Sequence, residues 1–318
     1  MLYQQFGDEE ALPRQYESMK LFVEAEIRKM GKKNLWIGPS LGDWLAMGKG
    51  IAWQAMHNNP VSNAFIVHDL KVISETAERL GKKADADRYR RQMEATTEAY
   101  IRKFVSKKGI VAKDYQSAYI MALKFVLPEG ELREQVKKNF AANIRKNGLQ
   151  TGFFATEYLL PLLVEAGETE LAYDILLQEG CPGWMYQVKC GATTTWERWD
   201  ALKPDGTVNE EKMAGSGDNM VSFNHYAFGS VGEFYYQYIL GIKPQKPGFA
   251  ELHFEPYPDR RLGGVSGSYL SRAGKIESSW KYEEDGCHIS LNTPVKSEVV
   301  LPDGKKETVE AGTYQWLC

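Results

Sequence analysis

Gly241-Ile242-Lys243-Pro244-Gln245-Lys246-Pro247-Gly248 is where the grammar of the chain changes. Two prolines between glycines interrupt any repeating hydrogen-bond ladder, so the stretch predicts a linker. Upstream of it apolar residues recur at helical spacing, and downstream they fall into short β-like runs. The chain is therefore expected to be mainly α, with a helical domain over residues 1–242 and a small antiparallel β-sandwich over 243–318.

Working upstream, helices are expected mostly in pairs. Residues 13–30 carry Tyr16, Met19, Leu21, Phe22, Val23 and Ile27 as an apolar stripe that Gly31 ends. Residues 61–80 and 85–104 are joined by Gly81-Lys82-Lys83, a polar glycine turn of the kind found in helical hairpins. The same arrangement returns at 115–127 with 129–144, where Pro128 suits a helix start, and at 153–164 with 169–178. An aromatic helix over 226–240 contains Gly229 and Gly232, which lower its intrinsic propensity, so tertiary packing must hold it. Residues 203–219, with Pro204-Asp205-Gly206 and Gly215-Ser216-Gly217, read as a long surface loop. Downstream, Leu252-His253-Phe254, residues 265–269, 276–282, 287–291 and 297–301 read as strands. Glu284-Asp285-Gly286 and Pro302-Asp303-Gly304 turn between some of them. The sandwich is expected to cover the helical domain rather than to hold a second site.

Composition narrows the partners. A net charge of -3 from 39 basic and 42 acidic residues, without long runs, gives no footprint for nucleic acid or an anionic membrane. No run of 18 apolar residues and no leader-like start is present, so no membrane role is expected. Cys181, Cys190, Cys287 and Cys318 lack Cys-x-x-Cys spacing, which argues against a zinc site or disulfide framework and for a reducing, cytoplasmic setting. There is no glycine-rich phosphate loop after a strand, no serine nucleophile elbow and no metal-spaced histidine pair. No cofactor and no metal are expected, and the partner should be small and close to neutral.

The chemistry concentrates in Gly191-Ala192-Thr193-Thr194-Thr195-Trp196-Glu197-Arg198-Trp199-Asp200, answered by Ser222-Phe223-Asn224-His225-Tyr226. A carboxylate between indoles and beside a guanidinium has its proton affinity pulled both ways, a composition suited to proton transfer. Indole faces suit the C–H faces of a sugar ring. The same residues also describe a buried arginine–carboxylate pair pinned between two core tryptophans, and composition alone leaves both readings open. A second aromatic connection, Leu35-Trp36-Ile37-Gly38-Pro39-Ser40-Leu41-Gly42-Asp43-Trp44-Leu45, is either a functional loop or a tryptophan plug at the end of a helical bundle.

Taken together, Gly42-Asp43-Trp44, Thr151-Gly152-Phe153, the Thr-Thr-Thr-Trp-Glu-Arg-Trp-Asp run, Ser-Phe-Asn-His-Tyr and the Pro247-Gly248 junction resemble the bacterial α-L-rhamnosidases of glycoside hydrolase family 78. The resemblance covers nearly the whole chain. It implies an (α/α)6 toroid followed by a β-sandwich, acting on terminal α-linked L-rhamnose with inversion. It further implies Glu197 as general base, His225 and Trp44 as sugar-binding groups, and Asp43, Trp196, Arg198 and Trp199 as residues of the substrate pocket. The segment that carries the family's general acid has no counterpart here, and roughly eight helices are legible where six closed pairs are needed. The expectation is thus a partial toroid, incomplete at its N-terminal side, that self-associates or is completed by a missing part. The alternative function is a non-catalytic carbohydrate-binding fragment.

Overall fold

The computed structural model describes residues 2–210 and 221–318, apart from the side chain of Leu2. Of the loop expected over 203–219, residues 211–219 lie outside the described residues. Packing divides the chain into two compact units, Tyr16–Ser230 and Val231–Cys318 with the N-terminal residues through Gln15. The expected boundary at 242 followed the change in secondary structure; the division by packing falls at other positions.

The helices, in chain order, are α1 (Leu2–Phe6), α2 (Ala11–Met30), α3 (Ile51–His57), α4 (Asn59–Arg79), α5 (Lys83–Phe104), α6 (Gln116–Met121), α7 (Glu131–Asn147), α8 (Phe153–Glu165), α9 (Thr169–Leu177), α10 (Trp184–Lys189) and α11 (Val231–Phe234). In the larger unit Tyr16, Val23 and Met30 stand seven residues apart on one face of α2. They pack with Ile66, Leu70, Ile73 and Ala77 of α4 and with Ala86 and Tyr89 of α5. Burial of each large aliphatic side chain here stabilises by about 1.5–3 kcal/mol. The rim of this core is polar, with Asp85 accepting from Tyr16 Oη and Lys20 Nζ at 2.7 Å each.

The turn from α4 to α5 needs Gly81, whose φ of 72° lets the Lys82 N–H reach back to the Ala77 carbonyl at 2.8 Å. After α6 the backbone widens into a π turn at Ala122–Val126 and stops short of Pro128. The buried Arg133 of α7 donates through Nη1 to the Leu123 and Leu127 carbonyls, at 2.5 and 3.0 Å, and so satisfies acceptors that this irregular end leaves open. The single helix expected over 226–240 is instead a 3-10 turn at Ala227–Ser230, then α11, then a π turn at Tyr235–Ile239. Gly229 and Gly232 explain why no regular helix runs through.

In the smaller unit the strands are β1 (Ile242–Pro244), β2 (Leu252–Phe254), β3 (Gly264–Ser271), β4 (Gly274–Glu283), β5 (Gly286–Thr293), β6 (Ser297–Val300), β7 (Lys306–Val309) and β8 (Gly312–Leu317). They form two four-stranded sheets in the orders β1-β2-β6-β7 and β3-β4-β5-β8. Pairing is antiparallel except for β2 with β6, which is parallel. Part of the expected linker is therefore β1, and Pro244 is tolerated there because β1 lies at the edge of its sheet. Ile276, Ser278 and Trp280 alternate inward on β4, with Leu291 and Ile289 of β5 paired beside Ser278 and Trp280 on the same buried face. The fold is thus mainly α, helical hairpins of toroid type followed by a small, largely antiparallel two-sheet region. Among the described residues no helix is long and apolar enough to cross a membrane.

Candidate active site

The aromatic loop before α3 is held by three asparagines that the sequence reading passed over. Asn58 Nδ2 donates to the Leu41 carbonyl, Asn59 Nδ2 to the Gly38 carbonyl at 2.6 Å, and Asn63 both accepts from the Trp36 N–H and donates to its carbonyl at 2.8 Å. Their signal was the Asn58-Asn59-Pro60 start of a helix, where short amides commonly satisfy loop backbone rather than helix backbone.

Asp43 follows from that loop and is fully buried. Its two oxygens accept from Ser117 Oγ and from the Gly152, Phe154 and Ala155 N–H groups at 2.5–3.0 Å. Gly152 gives α8 no side-chain cap, so Asp43 caps α8 from a distant loop. Burial raises the Asp43 pKa, and the four donors oppose that rise. With its acceptors filled from inside the protein, Asp43 is a positioning residue in this structure. Next to it the chain comes so close that a Cβ on Gly152 would lie 2.1 Å from the Trp44 carbonyl oxygen. The Phe153 N–H donates to that same oxygen at 3.0 Å, which locks Trp44 to the start of α8.

The half-buried Trp44 and Phe153 line one cleft with Trp36, Phe65 and Phe154, a cavity of about 710 Å³. His225 stacks on Phe153, with ring centroids 4.5 Å apart and planes inclined by 29°, and on Tyr226 at 5.3 Å. Its Nδ1 accepts from the Ala227 N–H at 3.3 Å, so in the neutral ring Nε2 carries the hydrogen and is a donor. Trp44 and His225 are thereby brought together through Phe153.

The segments 195–197 and 222–225 clamp each other. The His225 N–H donates to the Thr195 carbonyl at 2.9 Å, Thr195 Oγ1 donates to the His225 carbonyl at 2.6 Å, and the Glu197 N–H donates to the Ser222 carbonyl at 2.8 Å. The residues of the Trp-Glu-Arg-Trp run part ways in the structure. Trp196 is buried with Tyr186 and Ala201, while Trp199 is buried against Phe228, stacked at 3.8 Å, and donates to the Thr151 carbonyl. Arg198 turns to Asp200, donating through Nε and Nη2 at 2.9 Å each, and Asn209 Nδ2 also donates to Asp200. The half-buried Glu197 is left with a carboxylate that has no hydrogen bond or ion pair among the described residues. None of Glu197, His225, Arg198, Trp196 and Trp199 lines the Trp44 cleft, which His225 approaches through its stacking on Phe153.

Two carboxyls that do line that cleft, Glu26 and Asp69, escaped sequence reading, because they sit on ordinary amphipathic helices. Glu26 of α2 has a buried Oε2 without a partner among the described residues. Burial, and then the Asp69 charge, push its pKa up to about 8. Burial also raises Asp69 of α4, to about 6.

Comparison with known proteins identifies the family. The model of the bacterial α-L-rhamnosidase six-hairpin glycosidase domain matches residues 1–239, and that of the bacterial α-L-rhamnosidase C-terminal domain matches residues 241–315. An α-L-rhamnosidase of Alteromonas sp. (strain LOR) is 34% identical over 312 residues, which is 95% of this chain and 33% of that protein. The crystal structure of Streptomyces avermitilis α-L-rhamnosidase complexed with L-rhamnose superposes with a TM-score of 0.89 at 28% identity, over 99% of this chain and 31% of that one. The native α-L-rhamnosidase of Aspergillus terreus gives 0.90 at 29% identity, over 99% and 37%. This chain spans about a third of the length of those relatives. With the six-hairpin model covering three quarters of its residues, the chain belongs to the bacterial α-L-rhamnosidase family.

Proposed function

We propose that the chain carries the water-activating half of an inverting α-L-rhamnosidase site, with Glu197 as general base. The observation that carries this is the carboxylate of Glu197. The backbone N–H of Glu197 is held by the Ser222 carbonyl, Trp196 and Trp199 near it in sequence are buried in the core, and its carboxylate is unengaged while Arg198 donates to Asp200. An ionised carboxylate in that setting takes a proton from water as the water attacks the anomeric carbon. Trp44 offers its face to the apolar side of the sugar, and His225 Nε2 donates to a hydroxyl. Asp43, Trp196, Arg198 and Trp199 hold the frame. Inversion requires a second, protonated carboxyl about 6.5–9.5 Å away. The proposal leaves that acid to sequence which the longer relatives carry beyond the matched span. The four free cysteines fit a reducing compartment, and the proposal places the chain in the cytoplasm.

The test is turnover of 4-nitrophenyl α-L-rhamnoside, whose leaving group needs little proton assistance. Glu197→Gln should lower kcat by about 10²–10⁴-fold, with the circular dichroism spectrum unchanged. The first sugar released by the parent chain should be the β anomer by NMR. Unchanged kcat in a folded Glu197→Gln variant removes Glu197 from the mechanism.

A further inference from the structure

The smaller unit sets two cysteines opposite one another. The Cys287 N–H donates to the Cys318 carbonyl at 2.8 Å, and the Cys318 N–H donates to the Cys287 carbonyl at 3.0 Å. A reciprocal pair of this kind makes the two residues direct partners in an antiparallel ladder, with Cα atoms about 5.5 Å apart. It continues the pairing of β5 with β8, in which His288 faces Leu317, Ile289 faces Trp316 and Leu291 faces Tyr314. Side chains alternate along a strand, so the two thiols leave the sheet on the same side, that of Ile289 and Trp316. Cys287 is buried, Cys318 is partly exposed just past the last residue of β8, and both are free thiols. Gly286 lets the two chains come this close, since a Cβ there would lie 2.7 Å from the Cys318 carbonyl oxygen.

Opposed cysteines at that spacing fall within the Cα window of about 4.4–6.8 Å in which a disulfide closes. The Cβ atoms of a hydrogen-bonded pair stand about 5.5 Å apart and must approach to roughly 4.5 Å. Cys318 supplies that movement, because it lies outside the regular strand. Roughly thirty residues separate the two cysteines, so their spacing in sequence hides the pair that the strand register creates. We propose that Cys287 and Cys318 are a modification site, at which exchange with a small-molecule disulfide of the oxidised glutathione class makes a cross-strand bond that pins β8 to β5. The Cys318 thiolate, the more accessible of the two, attacks one sulfur of the small disulfide, breaks its S–S bond and releases one glutathione thiolate. The Cys287 thiolate then attacks the Cys318 sulfur of the mixed disulfide, and the second glutathione leaves as its thiolate. The protein gives up two electrons and two protons, and both end on two molecules of reduced glutathione. Burial pushes both thiols above their usual range, so few are ionised at neutral pH and the exchange is slow there.

The experiment is incubation of the 318-residue chain with oxidised glutathione at about pH 8.5, where more of each thiol is ionised, followed by non-reducing peptide mapping and a thermal melt. The map should join the peptides that carry Cys287 and Cys318. The thermal midpoint should rise by about 5–10 °C, and dithiothreitol should return it to that of the reduced chain. Cys181→Ser combined with Cys190→Ser leaves Cys287 and Cys318 as the two remaining cysteines, and intact mass spectrometry of that oxidised variant should show a loss of about 2 Da. Cys318→Ser, which removes the accessible thiol and leaves the buried one in place, should show neither the link nor the change in midpoint. Glutathione retained on Cys318 without a bond to Cys287 overturns the proposal. So does a bond between Cys181 and Cys190 alone, or a dimer joined through Cys318. A Cys287–Cys318 bond that leaves the midpoint unchanged overturns the pinning of β8.

Discussion

Glu197 and Arg198 are neighbours in sequence and take opposite parts, one unengaged and one locked to Asp200. Composition could not divide them, because which way a side chain turns depends on partners such as Asn209 and Ser222 that lie many residues away. The same holds for Asp43. The Gly-Asp-Trp motif marked the place, but only the fold shows the carboxylate facing inward to α8 and the indole facing the cleft. Trp44→Ala and His225→Ala should each weaken L-rhamnose binding in calorimetry by about 1–3 kcal/mol, the range for a lost packing face or a lost polar contact. Asp43→Ala leaves the buried Gly152 and Ala155 N–H groups and the part-buried Phe154 N–H without their acceptor and should destabilise the chain by about 3 kcal/mol in urea unfolding. Glu26 gives a pH signature. Its pKa is about 8 in the folded protein against an ordinary 4.5, so the folded state holds the proton more tightly. The associated stability is complete below the ordinary value and is lost as pH rises through the folded one. Asp69 acts in the same direction at lower pH. Calorimetric Tm should therefore fall between about pH 5 and 8 in the parent and fall less in Glu26→Gln, whose amide does not titrate. Parallel Tm profiles for the two proteins would rule this out.

Long elements were legible because they contain several turns of an apolar stripe. The core of α2, the α4–α5 hairpin and the α8–α9 hairpin were readable to within a few residues, since Tyr16, Val23 and Met30, or Leu70, Ile73 and Ala77, repeat on one face. Short elements were not. α3 and α10 have 7 and 6 residues, too few to show a period, and β7 and β8 lie in a polar tail with little apolar alternation. β1 was hidden by its proline, which is acceptable only because the strand is at a sheet edge, a fact of topology. The joint between the aromatic loop and α8 is likewise a tertiary feature, and it yields a sharp expectation. The Cβ of Gly152→Ala would meet the Trp44 carbonyl at 2.1 Å and the Asp43 carbonyl at 2.8 Å, backbone atoms that cannot rotate away. The start of α8 must then separate from the loop. Equilibrium unfolding should show a loss of about 1–3 kcal/mol, and L-rhamnose affinity should drop as Trp44 and Phe153 part. Full stability and full affinity in Gly152→Ala would show that this close approach does not hold the cleft.

At the level of the whole molecule, the change from helix to strand at the Gly241–Gly248 stretch was readable, but the grouping of the first residues with the β unit was not. That grouping depends on contacts such as Gln5 Nε2 donating to Tyr269 Oη at 2.5 Å and the approach of Gly7 to Gly248, which join positions more than 200 residues apart. The apolar surface of the larger unit supports a last expectation. Leu21 and Phe22 of α2 are 71% and 60% exposed, and Phe154, across the Trp44 cleft, is 46% exposed. Side chains of this size, open beside a cleft that already contains Trp36, Trp44 and Phe65, form a patch of the kind that drives association once it exceeds a few hundred Å². Glu26 and Asp69 lie in the same cleft and are uncharged at low pH, so their ionisation adds like charge to the patch as pH rises. The 318-residue chain should therefore self-associate at neutral pH and less so above pH 8. Light scattering coupled to size exclusion measures this, and Leu21→Ser combined with Phe22→Ser should shift the mass toward the monomer without lowering Tm, because neither side chain is in the core. A parent chain that elutes as a monomer at every pH would mean that the exposed face of α2 is not adhesive.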